Sequence, residues 1–248
     1  LDPALIAALA GARHVVMLTG SGTSAESGIP TFRDAQTGLW AQYRPEDLAT
    51  PEAFERNPRL VWDWYACRRE LVEAARPNAG HDAIAELDGL LHRFTLITQN
   101  VDGLHQRAGS PTVIEFHGNI MRSRCTAGHP ADTVDESGPR PPRCRRCGAL
   151  LRPDVVWFDE AIPGDVLATA TAAVDDCDVL FAVGTSAVVQ PAAGLAAQAQ
   201  RHGALLVEIN PAPTPLTEAA DFALTGPSGC MLPKLAAALR TRRQSCLT

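Results

Sequence analysis

Five apolar runs punctuate the chain: HVVML at 14–18, FTLIT at 94–98, TVIEF at 112–116, DVLFAV at 178–183 and ALLVEI at 204–209. Several are continuous, not alternating, which is the pattern of strands buried on both faces of a sheet. Between and after them apolar positions fall at helical spacing, in HDAIAELDGLL (81–91), VLATATAAVDDC (166–177), AAGLAAQAQRH (192–202) and LPKLAAALRTRR (232–243). Strand alternating with helix predicts an α/β fold with a Rossmann-like, doubly wound parallel sheet. Two stretches interrupt that alternation. Residues 34–80 are helical and aromatic-rich, with PRLVWDWYACRRELVEAARP as one long helix opened by Pro58 and closed before Pro77. Residues 118–155 carry clustered cysteines and several prolines with little periodicity, as expected of a small module held by a ligand instead of a core. The expected organisation is a large domain from about 1–33, 81–117 and 156–248, and a small domain from the insertions 34–80 and 118–155.

Composition narrows the function classes. At 248 residues with 46% apolar and 20% charged, the chain has enough material for a sizeable core. A net charge of -6 argues against nucleic acid as the main partner, since phosphate neutralisation needs a surplus of Lys and Arg. The basic island Arg140, Arg143, Arg145, Arg146 and Arg152 reads as a solvated face. No run of apolar residues is long enough to cross a membrane, and the first residues lack the pattern of a signal peptide. A cytoplasmic monomer without membrane association is therefore expected. The cysteines number 7, an odd count with one cluster, which points to a metal site in a reducing compartment and not to a disulfide framework.

In open α/β sheets ligands bind at the carboxyl ends of the strands. Those ends are polar here. The first run leads into TGSGTSAESGIPTFRD (19–34), whose Gly20-Ser21-Gly22-Thr23-Ser24-Ala25 fits the dinucleotide fingerprint G-x-G-x-x-G/A. The others lead into Gln99-Asn100-Val101-Asp102, His117-Gly118, Gly184-Thr185-Ser186 and Asn210. Singly, each has a plainer reading as a helix cap, a turn or a hydrogen-bonded core histidine. Together they place amides, hydroxyls, an aspartate and a histidine on one rim. The acidic residue that a dehydrogenase carries after its second strand is missing, because Glu46 and Asp47 lie in YRPEDLATP, which is not a strand. The loop can hold NAD without serving hydride transfer.

TGSGTSAESGIPTFRD, TQNVDGLH, EFHGN, VGTS, VEINP and GPSGCMLP, in that order, resemble the motifs of the sirtuins, NAD-dependent protein-lysine deacylases. The resemblance spans nearly the whole chain and implies a Rossmann-like large domain with a small domain made of a helical and a zinc-binding insertion. It implies NAD as cosubstrate and acyl-lysine proteins or peptides as partners. In sirtuins the acyl carbonyl oxygen attacks the ribose as nicotinamide leaves, and a ribose hydroxyl deprotonated by a histidine then attacks the intermediate. By this matching His117 is the general base, Asn100 orients the ribose, Asp102 holds the nicotinamide amide and Gln99 contacts a ribose hydroxyl. Amides near Gly20, Ser21 and Gly22 would face the phosphates, with Arg33 adding charge, Phe32 covering the ribose and Ile29 lining the nicotinamide pocket. Gly184, Thr185, Ser186, Asn210 and the Cys230 backbone would surround the rest of the nucleotide. Val156 and Phe158, in VVWFDE, belong to the segment expected to meet the substrate peptide. An NAD-binding sensor and a protein ADP-ribosyltransferase remain as alternatives.

In WYACRRE, Tyr65 stands three residues before Arg68 and four before Arg69, so either arginine can share its helix face. Tyr-x-x-Arg at this place resembles the sirtuins that remove succinyl and malonyl groups, where Tyr65 and Arg68 would bind the distal carboxylate. The other histidines, His81, His92, His105 and His202, lie in helical patterns and read as solvated or capping. Three departures stand out. Ser21 and Asp159 occupy positions where the family usually has Ala and Gly. The zinc module has Cys125, Cys144 and Cys147 but Gly128 at the place of a fourth cysteine, with His129 one residue later as a candidate ligand for a Cys3His zinc site.

Overall fold

A computed structural model describes residues 1–31, 43–129 and 139–245. The chain opens with α1 (Pro3–Gly11), β1 (Val15–Thr19) and the short α2 (Gly22–Ala25). Next come α3 (Pro45–Leu48), α4 (Pro51–Arg56), α5 (Pro58–Ala74) and α6 (Ala79–Leu90), then β2 (Phe94–Thr98), α7 (Leu104–Arg107) and β3 (Val113–Glu115). β4 (Gly118–Cys125) and β5 (Leu151–Val155) form an antiparallel pair, after which α8 (Gly164–Asp175), β6 (Val179–Val183), α9 (Ala192–Arg201), β7 (Leu205–Asn210), β8 (Phe222–Thr225) and α10 (Ser228–Ser245) follow.

The main sheet runs β3-β2-β1-β6-β7-β8 with every pairing parallel. The side-chain period of two divides its apolar runs between two cores. Val15, Met17, Leu96, Phe181 and Val207 pack with α1, α6 and α10, while Val16, Leu18, Ile97, Leu180 and Leu206 pack with α8 and α9. That double burial is why these runs are mostly continuous and not alternating. The strand order reverses between β1 and β6, so the loops after Thr19 and Val183 flank the switch point where doubly wound sheets bind ligands.

The insertions pack apart from the sheet. Leu48, Phe54, Val61, Trp64 and Tyr65 of α3 to α5 share a core with Ile120, Val155 and Trp157. Asn57 caps α5, its carboxamide oxygen accepting the Leu60 N–H at 3.1 Å. α3 covers the YRPEDLATP segment, in agreement with the absence of a second nucleotide-type strand there. Of the basic island, Arg152 is a correction. It is buried, because Glu160 pairs with it at 2.5 Å and the Trp157 ring lies 3.3 Å beneath its guanidinium. No helix among the described residues is long and apolar enough to cross a membrane.

Candidate active site

The glycine-rich turn is shaped by its neighbour as much as by any ligand. A Cβ on Gly20 or Gly22 would come within 2.8 Å of the Gly184 carbonyl oxygen, so only glycine lets the loops after β1 and β6 close on each other. The Gly20 and Gly22 amides donate to the carbonyls of Val183 (2.9 Å) and Gly184 (2.8 Å). Of the three amides expected to face phosphates, only that of Ser21 has no acceptor among the described residues. The rim continues sideways: Gln99 donates to the Thr185 hydroxyl (3.0 Å) and Asn210 to the Thr185 carbonyl (2.8 Å). Ser186 is half-buried beside them. Cys230 is exposed in the first turn of α10, its N–H held by the Pro227 carbonyl at 3.0 Å.

Ser24 is the hub that sequence reasoning missed. Its hydroxyl donates to Asp102 Oδ2 at 2.7 Å and accepts from Asn100 Nδ2 at 3.1 Å. His81 Nε2 lies 3.4 Å from the same oxygen, and His81 Nδ1 accepts the Asn78 N–H at the start of α6. An acceptor at Nδ1 fixes the proton on Nε2, so His81, Ser24 and Asp102 form one donor-to-acceptor chain. The capping role expected of His81 is present. Its solvated alternative, and that of His105, are corrected: both rings are buried, 4.8 Å apart between centroids, and His105 Nε2 bonds the Thr19 hydroxyl at 2.9 Å. Burial drives His81 down to about 4 and His105 down to about 3. Burial raises Asp102, opposed by the Leu104 N–H and the Ser24 hydroxyl. The available signal for Ser24 was its position inside the fingerprint, but nothing in the order of residues points its hydroxyl at Asp102.

His117 follows β3. Its Nδ1 faces the Gln99 carbonyl at 3.1 Å, and since a carbonyl can only accept, the proton sits on Nδ1 and the lone pair on Nε2. Burial lowers its pKa below 6.5, offset in part by that carbonyl. Gly118 has φ +79, and a Cβ there would meet the Asp154 carbonyl at 2.2 Å, so this histidine can be followed only by glycine.

Arg68 and Arg69 of α5 separate cleanly. Arg69 is committed to β4, donating to the Ile120 carbonyl (2.6 Å), the Arg122 carbonyl (3.0 Å) and the Ser123 hydroxyl (2.8 Å), where an irregularity in register frees those acceptors. Arg68 lies over the Trp64 ring, 5.1 Å from its centroid, and burial lowers its pKa while the nearby Tyr65 opposes that shift. Tyr65 is buried, its hydroxyl accepts the Trp157 indole N–H at 3.0 Å, and desolvation pushes its pKa up to about 12. Ile29, half-buried, packs against the same core. The Val156 N–H donates to the His117 carbonyl (2.9 Å), and Phe158, whose N–H donates to Ala49, stays partly exposed next to Trp157.

At the far end of the β4–β5 pair, Cys125, His129, Cys144 and Cys147 bring their ligand atoms within 4.8 Å of one another. Cys125 Sγ is 3.6 Å from both His129 Nδ1 and Cys147 Sγ. These are separations that a tetrahedral ion between the four would span. The histidine thus stands in the cluster although it comes one residue later than a fourth cysteine would.

A family model described as "Sir2 family" matches residues 20–191. The chain belongs to the Sir2 family. It is 51% identical over 235 residues to the NAD-dependent protein deacylase 2 of Pyrobaculum aerophilum, with 94% of each chain covered. The NAD-dependent protein deacylase of Ralstonia nicotianae is 52% identical over 227 residues, covering 91% of this chain and 92% of that one. The crystal structure of a Sir2 homologue–NAD complex superposes with a TM-score of 0.92 at 48% identity, over 98% of this chain and 95% of the other.

Within this Sir2 fold, the two remaining departures have different weights. Asp159 has φ 66, a left-handed conformation that glycine adopts freely and Asp tolerates better than most residues. Ser21 precedes α2 without a capping bond from its side chain, so its hydroxyl is spare beside the one uncommitted amide. Phe32 and Arg33, expected over the ribose and phosphates, lie outside the described residues.

Proposed function

We propose that this chain is an NAD-dependent protein-lysine deacylase that prefers succinyl and malonyl groups, with acetyl as a lesser substrate, and yields nicotinamide and O-acyl-ADP-ribose. The switch-point loops fit NAD: the Gly20–Gly22 turn, Ser21 amide, Thr185, Ser186 and Asn210 line the place where such sheets take a dinucleotide. When bound there, NAD supplies an activated ribose with nicotinamide as leaving group. The protein's part is orientation and proton handling. Asn100 and Asp102, locked through Ser24, offer a fixed amide and carboxyl to ribose and nicotinamide, so little reorganisation accompanies the reaction. His117 presents an Nε2 lone pair in a neutral ring, the form needed to take a hydroxyl proton.

The observation that carries the acyl preference is the Tyr65–Arg68 pair. A half-buried guanidinium and a buried phenol that stays protonated up to about 12 are donors suited to a carboxylate at the end of an acyl chain. Acetyl-lysine would leave Arg68 without that anion. Cys125, His129, Cys144 and Cys147 would hold a structural zinc. A cytoplasmic location accords with the free thiols.

The deciding assay compares nicotinamide release with succinyl-lysine and acetyl-lysine peptides. Arg68→Met should lower kcat/KM for the succinyl peptide about 10- to 100-fold more than for the acetyl peptide, the worth of a charge-assisted hydrogen bond. His117→Ala should lower both by about 100-fold or more. NAD binding without nicotinamide release would favour a sensor, and labelled ADP-ribose left on protein a transferase. A parallel loss on both peptides in Arg68→Met would overturn the acyl preference.

A further inference from the structure

Tyr65 and Trp157 meet edge to oxygen. The indole N–H donates to the phenol oxygen at 3.0 Å, and both residues are nine-tenths or more buried. A phenol has one proton and lone pairs that lie close to the ring plane, so an incoming N–H on one side confines the hydroxyl proton to the other. Among the described residues, no acceptor takes that proton. A buried donor without an acceptor is unfavourable, and a ligand that supplies the acceptor gains accordingly.

Trp157 is itself held by several contacts. Its backbone N–H donates to Glu160 Oε2 at 2.8 Å, and Glu160 returns an N–H to the Trp157 carbonyl at 3.2 Å. Arg152 stacks on the indole, bonds both Glu160 carboxylate oxygens at 2.5 and 2.9 Å, and donates to the Val155 carbonyl at 2.8 Å. Phe54 packs beside it, its ring centroid 5.3 Å away and tilted by 43°. A side chain fixed in this way sets the direction of its N–H and does not follow the phenol.

We infer that Trp157 is a specificity-determining positioning residue: its indole N–H occupies the acceptor side of the Tyr65 oxygen and leaves the hydroxyl only as a donor to the carboxylate of the acyl chain. This rests on the assignment of Tyr65 and Arg68 to that carboxylate. An acetyl group carries no distal acceptor, so its turnover does not depend on where the phenol proton points. The clamp of Arg152 and Glu160 acts through Trp157.

Trp157→Phe keeps an aromatic ring beside Arg152 and removes the N–H together with part of the indole's volume, a loss of packing that the Tyr65→Phe background controls for. KM should rise about fivefold for a succinyl-lysine peptide relative to an acetyl-lysine peptide, the worth of one hydrogen bond, with kcat less affected. In a Tyr65→Phe background the same substitution should leave the succinyl-to-acetyl KM ratio unmoved, because the group it acts through is gone. A general loss of structure moves both peptides together and leaves the ratio constant. A constant ratio in Trp157→Phe, or an equal shift with and without the Tyr65 hydroxyl, overturns the inference. Should Arg68→Met show no selectivity either, the assignment of the pocket to an acyl carboxylate fails first. A selective Arg68→Met beside an unselective Trp157→Phe rejects the role of Trp157 alone.

Discussion

At His117 two opposing forces set the useful pH. Loss of solvent disfavours the imidazolium, and the Gln99 carbonyl at 3.1 Å favours it, with burial the larger. A lowered pKa means that the neutral, proton-accepting ring persists to more acid solution than a free histidine would. The acid limb of a kcat/KM profile should therefore have its midpoint below 6.5, as read from nicotinamide release across pH 5 to 8. A midpoint at or above 6.5 would mean that a different group limits the reaction. The neighbouring Gly118 shows how tightly this geometry is built, since a single methyl there would overlap the Asp154 carbonyl. Other single residues escape a reading of the sequence. Ser24 is one hydroxyl among several in its loop, and only the fold brings Asp102, 78 positions away, to 2.7 Å from it.

Elements were legible where burial dictates composition. The four central strands are largely buried on both faces, so their runs stand out, and the long helix α5 carries its own cap at Asn57, Pro58 as its first residue and Pro77 beyond its end. β4, β5 and β8 were not. β8 is an edge strand of four residues with alternating exposure, and β5 contains Pro153, which a strand can take only where it need not donate. α10 begins at Ser228, ahead of its apolar repeat, because Glu26 accepts the Gly229 N–H at 2.7 Å from across the molecule. That is a cap 203 residues distant, which no local pattern could announce. The β4–β5 pair also explains how candidate metal ligands so far apart in sequence meet: Cys125 ends one strand, and Cys144 and Cys147 are carried to it by the segment that leads into β5. Purified protein should contain about one zinc per chain, bound as Cys3His. His129→Ala should leave metal affinity down by about 10-fold or more in a chelator competition, and His129→Cys should restore it. Equal zinc affinity in wild type and His129→Ala would remove the histidine from the ligand set.

For the molecule as a whole, the helices on each face of the sheet bury not only apolar side chains but neutral histidines. His14, His81 and His105 are all enclosed, and burial lowers each of them, His81 to about 4 and His105 to about 3. In the unfolded chain they titrate near 6.5, so below that pH the unfolded state binds more protons than the folded one. Stability then rises with pH through this window and falls as the solution is acidified. The full benefit is present above 6.5, and each of His81 and His105 should cost about 2 kcal/mol of stability by pH 5. Asp102 acts with the opposite sign: its raised pKa means that the folded state holds a proton that the unfolded state has released, which favours folding as pH drops toward 3.8. Two histidines lowered to about 4 and about 3 oppose that one carboxyl, and the net expectation between pH 7 and pH 5 is a loss of stability. Guanidinium unfolding at both pH values should show the midpoint falling with acidification, and in His105→Asn the difference between the two should shrink by about 2 kcal/mol. The loss belongs to the whole cooperative unit because His105 joins α7 to β1 through Thr19, while His81 joins α6 to the loop after β1 through Ser24. Protonating either ring in the folded chain, which these values place near pH 4 to 3, would disturb the sheet's helical cover and the candidate rim together, below the limb assigned to His117. If the unfolding midpoint stayed constant from pH 7 down to pH 5, this coupling between the buried histidines and the fold would be wrong.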